Sequence, residues 1–450
     1  MYFQTTGLCS ICSKQVSARI IGLEDSIYLE KICLEHGITR ALLSTDRTWY
    51  EESLNYIKPK QESLAKNISV FKGCPDSCGL CPEHQQHTCL PIIEILSRCN
   101  MQCPICMKRF SADFSLTVEE FREIVNNLLL TEGCVDVINI SGGEPTLHPS
   151  FREMIETALQ QGITQISVST NGSTLLHDPA LRNFFKEKGI IAALQFDGFK
   201  SSSSLFLRGV DLSTEKLALI DLLEKEGVLY SLVSTVAKGV NEDEIAAITN
   251  FFFRSKALTL MFQPIVFTGH AAAFDEKKHR LTIADLVHKA EQSSYVEKGD
   301  FNPLPCSHYS CFALSYYFTL EDGDVYSLKK FLGKEDFLKI IANKTLPGLD
   351  SEGYGLIKKR IYDLWSAADS SAVNEKVLQR IKETLRLMAG GELSKREKLH
   401  IGMNNMKAIF IHNFMDVHTL DFSRLQKCCN PYPQAGGRLV PMCAQNIFFS

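Results

Sequence analysis

Cysteine spacing constrains what this chain can fold into more than any other feature of its sequence. The chain has 450 residues, 16 of them cysteines, and nearly all of the cysteines fall in short, closely spaced groups. In a reducing cytoplasm, clustered cysteines are metal ligands more often than disulfide partners. We therefore expect several metal centres rather than a disulfide framework.

The remaining composition is that of an ordinary globular protein, with 45% hydrophobic and 22% charged residues. The net charge of −4 gives no reason to expect a nucleic-acid partner. The first ten residues lack the basic and apolar regions of a signal peptide, and no apolar run is long enough to span a membrane. We expect a cytoplasmic protein with about two or three domains.

The first cysteine group predicts a small metal-binding unit over residues 1–60. Cys9 and Cys12 form one ligand pair, Cys33 and His36 form a second, and two strand-like runs lie between them. Three thiolates and one imidazole complete a tetrahedron, as in a zinc ribbon or a rubredoxin-like knuckle. Ligand type alone does not separate Zn from mononuclear Fe. His36 as a surface turn residue stays an alternative.

Residues 91–300 have a different sequence pattern, in which apolar strand-like runs alternate with helical patterns. Six such βα repeats predict an α/β fold with parallel crossovers. Six units are too few for a closed eight-stranded barrel, so we expect a partial (β/α)6, TIM-like barrel. Its chemistry should lie at the C-terminal ends of the strands. The serine run Ser201–Ser204 predicts a flexible loop.

The motif that carries chemistry follows the first predicted strand of this barrel. Cys99, Cys103 and Cys106 have the spacing CxxxCxxC on one loop. Three thiolates can hold three irons of a cubane cluster, which leaves the fourth iron with an open coordination position. An open position is what a substrate or cofactor needs in order to bind the metal.

A glycine-rich element follows the second predicted strand. Gly142 and Gly143 permit a close backbone approach, and Glu144 adds a carboxylate. Because both elements follow adjacent parallel strands, we expect them to face one cavity.

A second cysteine triplet, Cys74, Cys78 and Cys81, has the same CxxxCxxC spacing. It lies in a polar stretch rich in Gly and Pro, which predicts a loop wrapped around a group. Only the Cys99 triplet follows a good strand and precedes a helix, a strand and the Gly-Gly-Glu element. Context therefore favours the Cys99 triplet as the catalytic one.

With these two elements the sequence resembles the radical S-adenosylmethionine (SAM) superfamily. The resemblance implies that the open iron chelates the amine and carboxylate of SAM, with Glu144 near the amine. An electron from the cluster then cleaves SAM to a 5′-deoxyadenosyl radical, which takes a hydrogen atom from an unactivated C–H bond. One departure is Ile105, at a position that is often aromatic in this superfamily.

The same resemblance extends to residues after the next two strands. It implies that Ser169, Thr170 and Asn171 line the cofactor pocket. It also implies that Gln195 and Asp197 face cofactor or substrate.

A closer resemblance covers nearly the whole chain. It is to the group that contains archaeal tetraether lipid synthase, also described as 7,8-dihydro-6-hydroxymethylpterin dimethyltransferase. The motifs that carry it are the N-terminal knuckle, the Cys74 loop, the radical motif, Gln195-Phe196-Asp197-Gly198, Arg208-Gly209, Gln263-Pro264, Phe267-Thr268-Gly269, Pro305-Cys306-Ser307-His308, Cys311, Cys428-Cys429 and Cys443.

This group implies two auxiliary [4Fe–4S] clusters and a rubredoxin-like metal site. Carried over, the Cys74 triplet in residues 61–90 binds one auxiliary cluster, with Cys89 as an alternative fourth ligand. The other cluster falls to an iron–sulfur, SPASM-like region over residues 301–450. Its ligands, or ligands shared between the two clusters, are Cys306, Cys311, Cys428, Cys429 and Cys443. The competing interpretation makes these C-terminal cysteines buried thiols or a separate zinc site.

The functional hypothesis is a radical SAM enzyme that activates a C–H bond and then forms a C–C bond, by lipid chain coupling or by methylation. The alternative is a radical methyltransferase for a pterin or another small heterocycle, and a remote alternative is a non-catalytic electron-transfer protein. We expect a small-molecule or lipid substrate and a reduced ferredoxin- or flavodoxin-type electron donor. A lipid substrate would add peripheral contact with a membrane.

Overall fold

The computed structural model describes most of the chain. The described residues are 1–56, 62–65, 81–110, 112–133, 135–304, 307–320, 323–341, 355–360, 372–389 and 393–449. Three of the predicted metal ligands, Cys74, Cys78 and Cys306, lie outside them.

The N-terminal unit is a four-stranded antiparallel sheet with its strands in chain order. The strands are β1 (Phe3–Leu8), β2 (Gln15–Leu23), β3 (Ser26–Cys33) and β4 (Gly37–Ser44). Alternation along β2 and β3 buries Ile20, Ile27 and Leu29, which pack with Tyr50 of helix α1 (Arg47–Leu54). The two predicted strands of this unit are confirmed.

The main sheet begins with six parallel strands that neighbour one another in chain order. They are β5 (Ile92–Leu96), β6 (Val137–Gly142), β7 (Gln165–Thr170), β8 (Ile191–Gln195), β9 (Tyr230–Val236) and β10 (Thr259–Pro264). The helices between them are α2 (Val118–Glu132), α3 (Phe151–Gln160), α4 (Ser173–His177), α5 (Pro179–Lys188), α6 (Ser201–Arg208), α7 (Ser213–Glu226) and α8 (Ile245–Arg254). The predicted α/β class is confirmed, and the parallel order brings the C-terminal ends of these strands to one edge.

Later residues extend the same sheet and make it mixed. The later strands are β11 (Asn302–Pro303), β12 (Phe312–Thr319), β13 (Val325–Ser327), β14 (Met406–His412), β15 (Pro431–Pro433) and β16 (Leu439–Pro441). β14 pairs parallel with β10, and β12 pairs antiparallel with β14. β11 and β13 both pair with β12, whereas β15 and β16 form a separate hairpin.

Further helices accompany these strands. They are α9 (Glu276–His279), α10 (Ile283–Ala290), α11 (Leu328–Leu332), α12 (Lys334–Ile341), α13 (Ala372–Ala389), α14 (Lys395–Asn405), α15 (Phe422–Leu425) and α16 (Met442–Phe448). Short 3-10 turns occur at Pro145–Leu147, Glu242–Glu244, Gly269–Ala273 and Ala435–Gly437. Among the described helices, none combines the length and apolar character that a membrane crossing requires.

Helix α2 shows how the sequence sets these boundaries. Thr117 caps its first turn by accepting from the Glu120 N–H, and the Glu120 carboxylate accepts the Thr117 N–H at 2.7 Å. This reciprocal arrangement is a capping box, in which a Thr is followed three residues later by a Glu. The buried face presents Phe121, Val125 and Leu128 to the sheet. Burial of such a stripe is the main source of helix stability in a folded protein.

The prediction of a flexible loop at Ser201–Ser204 is wrong, because these residues form the first turn of α6. The Ser203 hydroxyl is buried and donates to Glu244 Oε1 at 2.7 Å. The other oxygen of Glu244 accepts the backbone N–H groups of Phe199 and Lys200, at 2.5 and 3.1 Å. A carboxylate from a distant segment thus caps this helix, and a local serine count cannot reveal it.

The N-terminal sheet is docked on a late segment of the chain. Gly7 in β1 forms an antiparallel bridge with Asp421, and the Thr5 hydroxyl donates to the Asp421 carboxylate at 2.5 Å. On β3, the buried Lys31 donates to the Val417 carbonyl at 3.2 Å. The first sheet and the segment around residue 420 therefore form one packed unit.

Candidate active site

The Cys99 triplet lies on the loop that leaves the C-terminal end of β5. Cys99 is exposed, and Cys103 and Cys106 are partly buried. The Cys106 N–H donates to the Cys103 carbonyl at 3.1 Å, which makes a turn between the two ligands. Burial raises the pKa of the Cys99 thiol, and Glu144 and then the other two cysteines raise it further. The three thiols and Glu144 therefore share one electrostatic environment.

The two glycines of the Gly-Gly-Glu element fit against the cysteine loop itself. Gly142 has φ +134°, and a Cβ on it would lie 2.3 Å from the Leu96 carbonyl oxygen. A Cβ on Gly143 would lie 2.1 Å from the Arg98 carbonyl oxygen. Side chains at these positions would push the two loops apart, so glycine is required for the loops to pair.

Glu144 follows these glycines and is 1% exposed. Its Oε1 accepts from the Thr146 hydroxyl at 2.7 Å, the Thr146 N–H at 3.2 Å and the Thr170 hydroxyl at 2.8 Å. Its Oε2 accepts the Asn171 N–H at 2.7 Å. Burial raises the pKa of Glu144, and these bonds oppose the rise. Glu144 makes no ion pair with any described residue.

Residues at the C-terminal end of β7 connect Glu144 to the cysteine loop. Besides the bond to Glu144, Asn171 donates from Nδ2 to Asn100 Oδ1 at 2.7 Å, and the same Nδ2 lies 3.9 Å from Cys99 Sγ. Ser169 instead donates to Asn139 Oδ1 at 3.0 Å. Asn171 thus lies beside Cys99, Thr170 contacts Glu144, and Ser169 lies one position earlier in the strand.

Asp197, after β8, is bound by an arginine that the sequence analysis had not assigned to the site. Arg208 donates from Nε and from a terminal nitrogen to the two Asp197 oxygens, at 2.7 and 2.8 Å. Although burial lowers the pKa of Arg208, Asp197 raises it and Cys103 adds to the rise. Gln195 donates to Asp197, and its own Oε1 has no hydrogen-bond partner in the described structure.

Lys216 is a second cation that sequence reasoning missed. It lies on α7, is 5% exposed and donates to the Asn171 carbonyl. Burial lowers its pKa to about 8, whereas the charges of Asp197 and Glu144 raise it. Nothing in the local pattern marks this lysine as buried. Arg208, in contrast, could have been found from the sequence, because Arg208-Gly209 is one of the motifs that carry the family resemblance.

The loop after β10 closes the site from the other side. The Thr268 hydroxyl donates to the Met107 carbonyl at 3.2 Å, and the His270 N–H donates to the Cys106 carbonyl at 2.9 Å. A Cβ on Gly269 would lie 2.5 Å from the Met107 carbonyl, so this loop also needs a glycine. The Phe-Thr-Gly motif thus contacts the cysteine loop.

In the N-terminal unit, the structure brings all four predicted ligands together. The Sγ atoms of Cys9, Cys12 and Cys33 and a ring nitrogen of His36 lie within 4.8 Å of one another. His36 Nδ1 lies 3.7 Å from Cys9 Sγ and 3.5 Å from Cys33 Sγ. Hydrogen bonds from the backbone of Cys12 and Ile11 lower the pKa of Cys9 to about 6. A thiolate at neutral pH is the form that binds a metal.

Most of the C-terminal cysteines meet around a second cavity. Its lining includes Cys311, Cys428, Cys429 and Cys443. Burial raises the pKa of Cys428 to about 11 and that of Cys443 to about 12, and the neighbouring thiols contribute to both shifts. Converging thiols are the donor set that an iron–sulfur cluster requires.

The loop that carries Cys81 and Cys89 packs on the same region. The Cys89 N–H donates to the Cys429 carbonyl at 2.7 Å, and the Gln85 N–H donates to the Gln426 carbonyl at 2.7 Å. Adjacent cysteines 428 and 429 therefore lie between the cavity and this loop.

Comparison with protein-family models gives two matches. The radical SAM superfamily model matches residues 93–252, and the HMPTM N-terminal zinc ribbon domain model matches residues 1–45. The first range contains the Cys99 triplet and Glu144, and the second contains the four grouped ligands.

Known relatives agree with these matches. The chain is 29% identical over 486 aligned residues to 7,8-dihydro-6-hydroxymethylpterin dimethyltransferase of Methanocaldococcus jannaschii, covering 98% of this chain and 93% of the relative. It is 30% identical to an S-adenosylmethionine-dependent nucleotide dehydratase of Selenomonas ruminantium, over 34% of this chain and 57% of that protein. It is 27% identical to GTP 3′,8-cyclase of Aquifex aeolicus, over 47% of this chain and 66% of that protein.

Among solved structures, Streptococcus suis SuiB bound to its precursor peptide SuiA matches with a TM-score of 0.40 and 13% identity, over 64% of this chain and 68% of that one. A score this low supports no inference about this chain. The family models and the sequence relatives, however, agree with the geometry at the end of the sheet. This chain is a radical SAM enzyme, whose domain implies a [4Fe–4S] cluster and S-adenosylmethionine, with a metal-binding zinc ribbon at its N-terminus.

Proposed function

We propose that this radical SAM enzyme is a methyltransferase whose substrate is a hydroxymethylpterin-type heterocycle. The observation that carries the proposal is the extent of its similarity to the Methanocaldococcus jannaschii pterin dimethyltransferase. The alignment covers 98% of this chain and 93% of that enzyme, so it includes the zinc ribbon and the C-terminal cysteines as well as the radical domain.

Within this function, Cys99, Cys103 and Cys106 hold the radical cluster. When bound, the cluster and SAM supply an electron and a 5′-deoxyadenosyl radical that removes a hydrogen atom from an unactivated C–H bond. The exposure of Cys99 supports this assignment, because a cluster with an open iron has to meet its cofactor from solvent. The pairing of this loop with the Gly-Gly-Glu loop fixes both against each other.

Glu144 and the residues after β7 and β8 are assigned to the cofactor pocket. Glu144 is a buried carboxylate without an ion-pair partner in the described structure, which suits it to the ammonium group of SAM. Thr170 and Asn171 position that carboxylate. The unpartnered Oε1 of Gln195 is an acceptor available to cofactor or substrate, and Asp197 with Arg208 forms a charged wall beside it.

The auxiliary centres complete the proposal. Cys311, Cys428 and Cys443, with Cys306 from outside the described residues, are assigned to one cluster in the C-terminal cavity. Cys81, with Cys74 and Cys78, is assigned to a second, and Cys89 or Cys429 is its fourth ligand. The zinc ribbon ligands take Zn or mononuclear Fe.

The finer description of the fold is part of the same proposal. The parallel strands β5–β10 form a partial (β/α)6 barrel, and the cysteine-bearing segment after residue 300 is its iron–sulfur extension. The domain boundaries proposed are 1–60, 61–90, 91–300 and 301–450. Lipid chain coupling, membrane contact, cytoplasmic location and a ferredoxin- or flavodoxin-type donor stay predictions.

The experiment is an anaerobic turnover assay on the reconstituted chain with dithionite, SAM and 7,8-dihydro-6-hydroxymethylpterin. We expect formation of 5′-deoxyadenosine and pterin products heavier by one or two methylene units in mass spectrometry. SAM with a deuterated methyl group tests whether SAM is also the methyl source. Formation of 5′-deoxyadenosine with unchanged pterin would contradict the substrate and leave the radical chemistry intact.

A further inference from the structure

The C-terminal cavity contains a buried cation as well as thiols. Arg424, on helix α15, lines the cavity beside Cys311 and Cys443 and is 3% exposed. Arg424 belongs to none of the sequence motifs described above. It is a charged group at the centre of a site whose other polar wall residues are cysteines, histidine, serine and asparagine.

The hydrogen bonds of Arg424 reach neutral carbonyl groups. One terminal nitrogen donates to the carbonyls of Ser310 and Asn413, both at 3.0 Å, and lies 3.5 Å from Cys311 Sγ. Its Nε has no hydrogen-bond partner in the described structure. No carboxylate of a described residue forms an ion pair with it. The charge of Asp421 acts on Arg424 from beyond ion-pair distance, and its carboxylate bonds to Thr5 and Ser423.

A buried guanidinium without a carboxylate in contact destabilises the folded state. An anion bound in the cavity would therefore stabilise it. His412 is stacked between Phe312 and Phe414, with ring centroids 3.8 and 3.9 Å away, and these rings keep the cavity wall apolar.

A thiolate-ligated [4Fe–4S] cluster is such an anion, because the charge of its thiolates outweighs that of the cubane core. Reduction makes it more negative still. A fixed cation in an apolar wall stabilises the reduced form more than the oxidised form. Charge and hydrogen bonds near the sulfurs are known to set the potential of such clusters.

We propose that Arg424 is the counter-charge of an anionic iron–sulfur cluster in the C-terminal cavity and raises the reduction potential of that cluster. This inference rests on the proposed function, which assigns a cluster to this cavity. Arg424 is not an iron ligand. Its positive charge acts on the cluster from the wall of the cavity.

The test compares full-length holoenzymes in which the radical cluster has been removed by Cys99, Cys103 and Cys106 to Ala substitutions. Arg424→Gln removes the charge, and Arg424→Lys keeps it. Lys427→Gln is the matched control, because it makes the same charge change on a partly exposed side chain that does not line the cavity. Potentiometric titrations followed by low-temperature EPR give the midpoint potentials, and Cys443→Ser identifies the signal that belongs to this cavity.

We expect Arg424→Gln to lower the midpoint potential of that signal, Arg424→Lys to restore most of it, and Lys427→Gln to shift it less. Selective loss of that cluster's iron in Arg424→Gln, with retention in Arg424→Lys, also supports the inference. An unchanged potential in Arg424→Gln, equal shifts in the Gln and Lys variants, or loss of iron in both would overturn it. Absence of any signal that Cys443→Ser removes would instead overturn the cluster assignment in the proposed function.

Discussion

Two regions of this molecule each contain a buried charged side chain, and the two charges have opposite sign. At the ends of β5–β8 the charge is the carboxylate of Glu144, 1% exposed. In the C-terminal cavity it is the guanidinium of Arg424, 3% exposed. Neither forms an ion pair with any residue that the structure describes. The comparison indicates that Glu144 is suited to a cationic group of a ligand and Arg424 to an anionic one.

The two regions also differ in access. Cys99 in the first region is exposed, whereas Cys443 in the second is buried. Each has an arginine near a cysteine, but Arg208 beside Cys103 is held by the Asp197 carboxylate and Arg424 beside Cys311 is not. A site that exchanges its cofactor needs an opening and a balanced charge. A permanent metal centre needs no opening to solvent. The charge of the protein around it can be balanced by the bound group.

The strongest test of this difference between the two regions is to remove one cysteine from each. We expect Cys103→Ala to abolish reductive cleavage of SAM, because one iron of the open cluster loses its ligand. Cys443→Ser should retain cleavage while losing the iron of its own cluster. The readouts are 5′-deoxyadenosine by chromatography and iron per chain. Persistent cleavage in Cys103→Ala would show that the choice of the Cys99 triplet as the radical site is wrong.

A second test removes the charge that balances Arg208. Asp197→Asn should lower the free energy of unfolding by about 3–5 kcal/mol, because it leaves a buried guanidinium without its carboxylate. Without the Asp197 carboxylate, Arg208 would lack an ion-pair partner, as Arg424 does among the described residues. The substitution should therefore also raise the reduction potential of the radical cluster. Anaerobic denaturant titration and EPR potentiometry measure the two effects.

Asp243→Asn is the control for that variant. Asp243 pairs with Lys200, but their side chains are 61% and 48% exposed, so we expect about 0–1 kcal/mol. Equal losses in the two aspartate variants would show that Arg208 is not balanced by Asp197 in the way proposed.

A smaller effect is expected from Glu144→Gln. The amide nitrogen would face the Asn171 N–H or the donors of Thr146 and Thr170, so one donor would meet another. We expect a loss of about 1–3 kcal/mol in unfolding free energy and weaker SAM binding by calorimetry. Glu156→Gln, whose side chain is 46% exposed, should change stability by less than about 1 kcal/mol. Unaltered SAM affinity in Glu144→Gln would contradict its role as a partner of the ammonium group.

The smallest effect concerns the contact between the two regions. Lys108 lies 4.2 Å above the ring of Tyr432 and 2.9 Å from Glu94 Oε1. Since the cation contacts the ring face, Tyr432→Phe should change unfolding free energy by less than about 1 kcal/mol and leave SAM cleavage unaltered. Tyr432→Leu should cost more, because it removes the ring. Thermal unfolding of the two variants checks the difference, and equal effects would rule out the ring contact.

The elements nearest to local signals were predictable from the sequence. Helix α5 spans Pro179–Lys188, because Asp178 caps its start and Gly189, at φ 60°, ends it. The pairing of the Cys99 loop with the Gly-Gly-Glu loop followed from two strands in parallel order. Such features are set by residues close together in the chain.

Features that depend on distant segments were not predictable. Strand β14 joins β10 although more than a hundred residues separate Met406 from Pro264. Arg424 and Lys216 carry charges in ordinary helical patterns, and only tertiary packing makes them buried. The Ser201–Ser204 turn became helical for the same reason, since Glu244 supplies its cap.

The bridge between Gly7 and Asp421 has a consequence for the order of folding. The Thr5 and Asp421 side chains that support it are 416 residues apart in the chain. At a synthesis rate of about 5–20 residues per second, the partner segment emerges roughly 20–80 s after the first sheet. The ligands Cys9, Cys12, Cys33 and His36 are all made early, so the ribbon can take up its ion while the rest of the chain is still being translated. Its docking has to wait until the segment around residue 421 has been made.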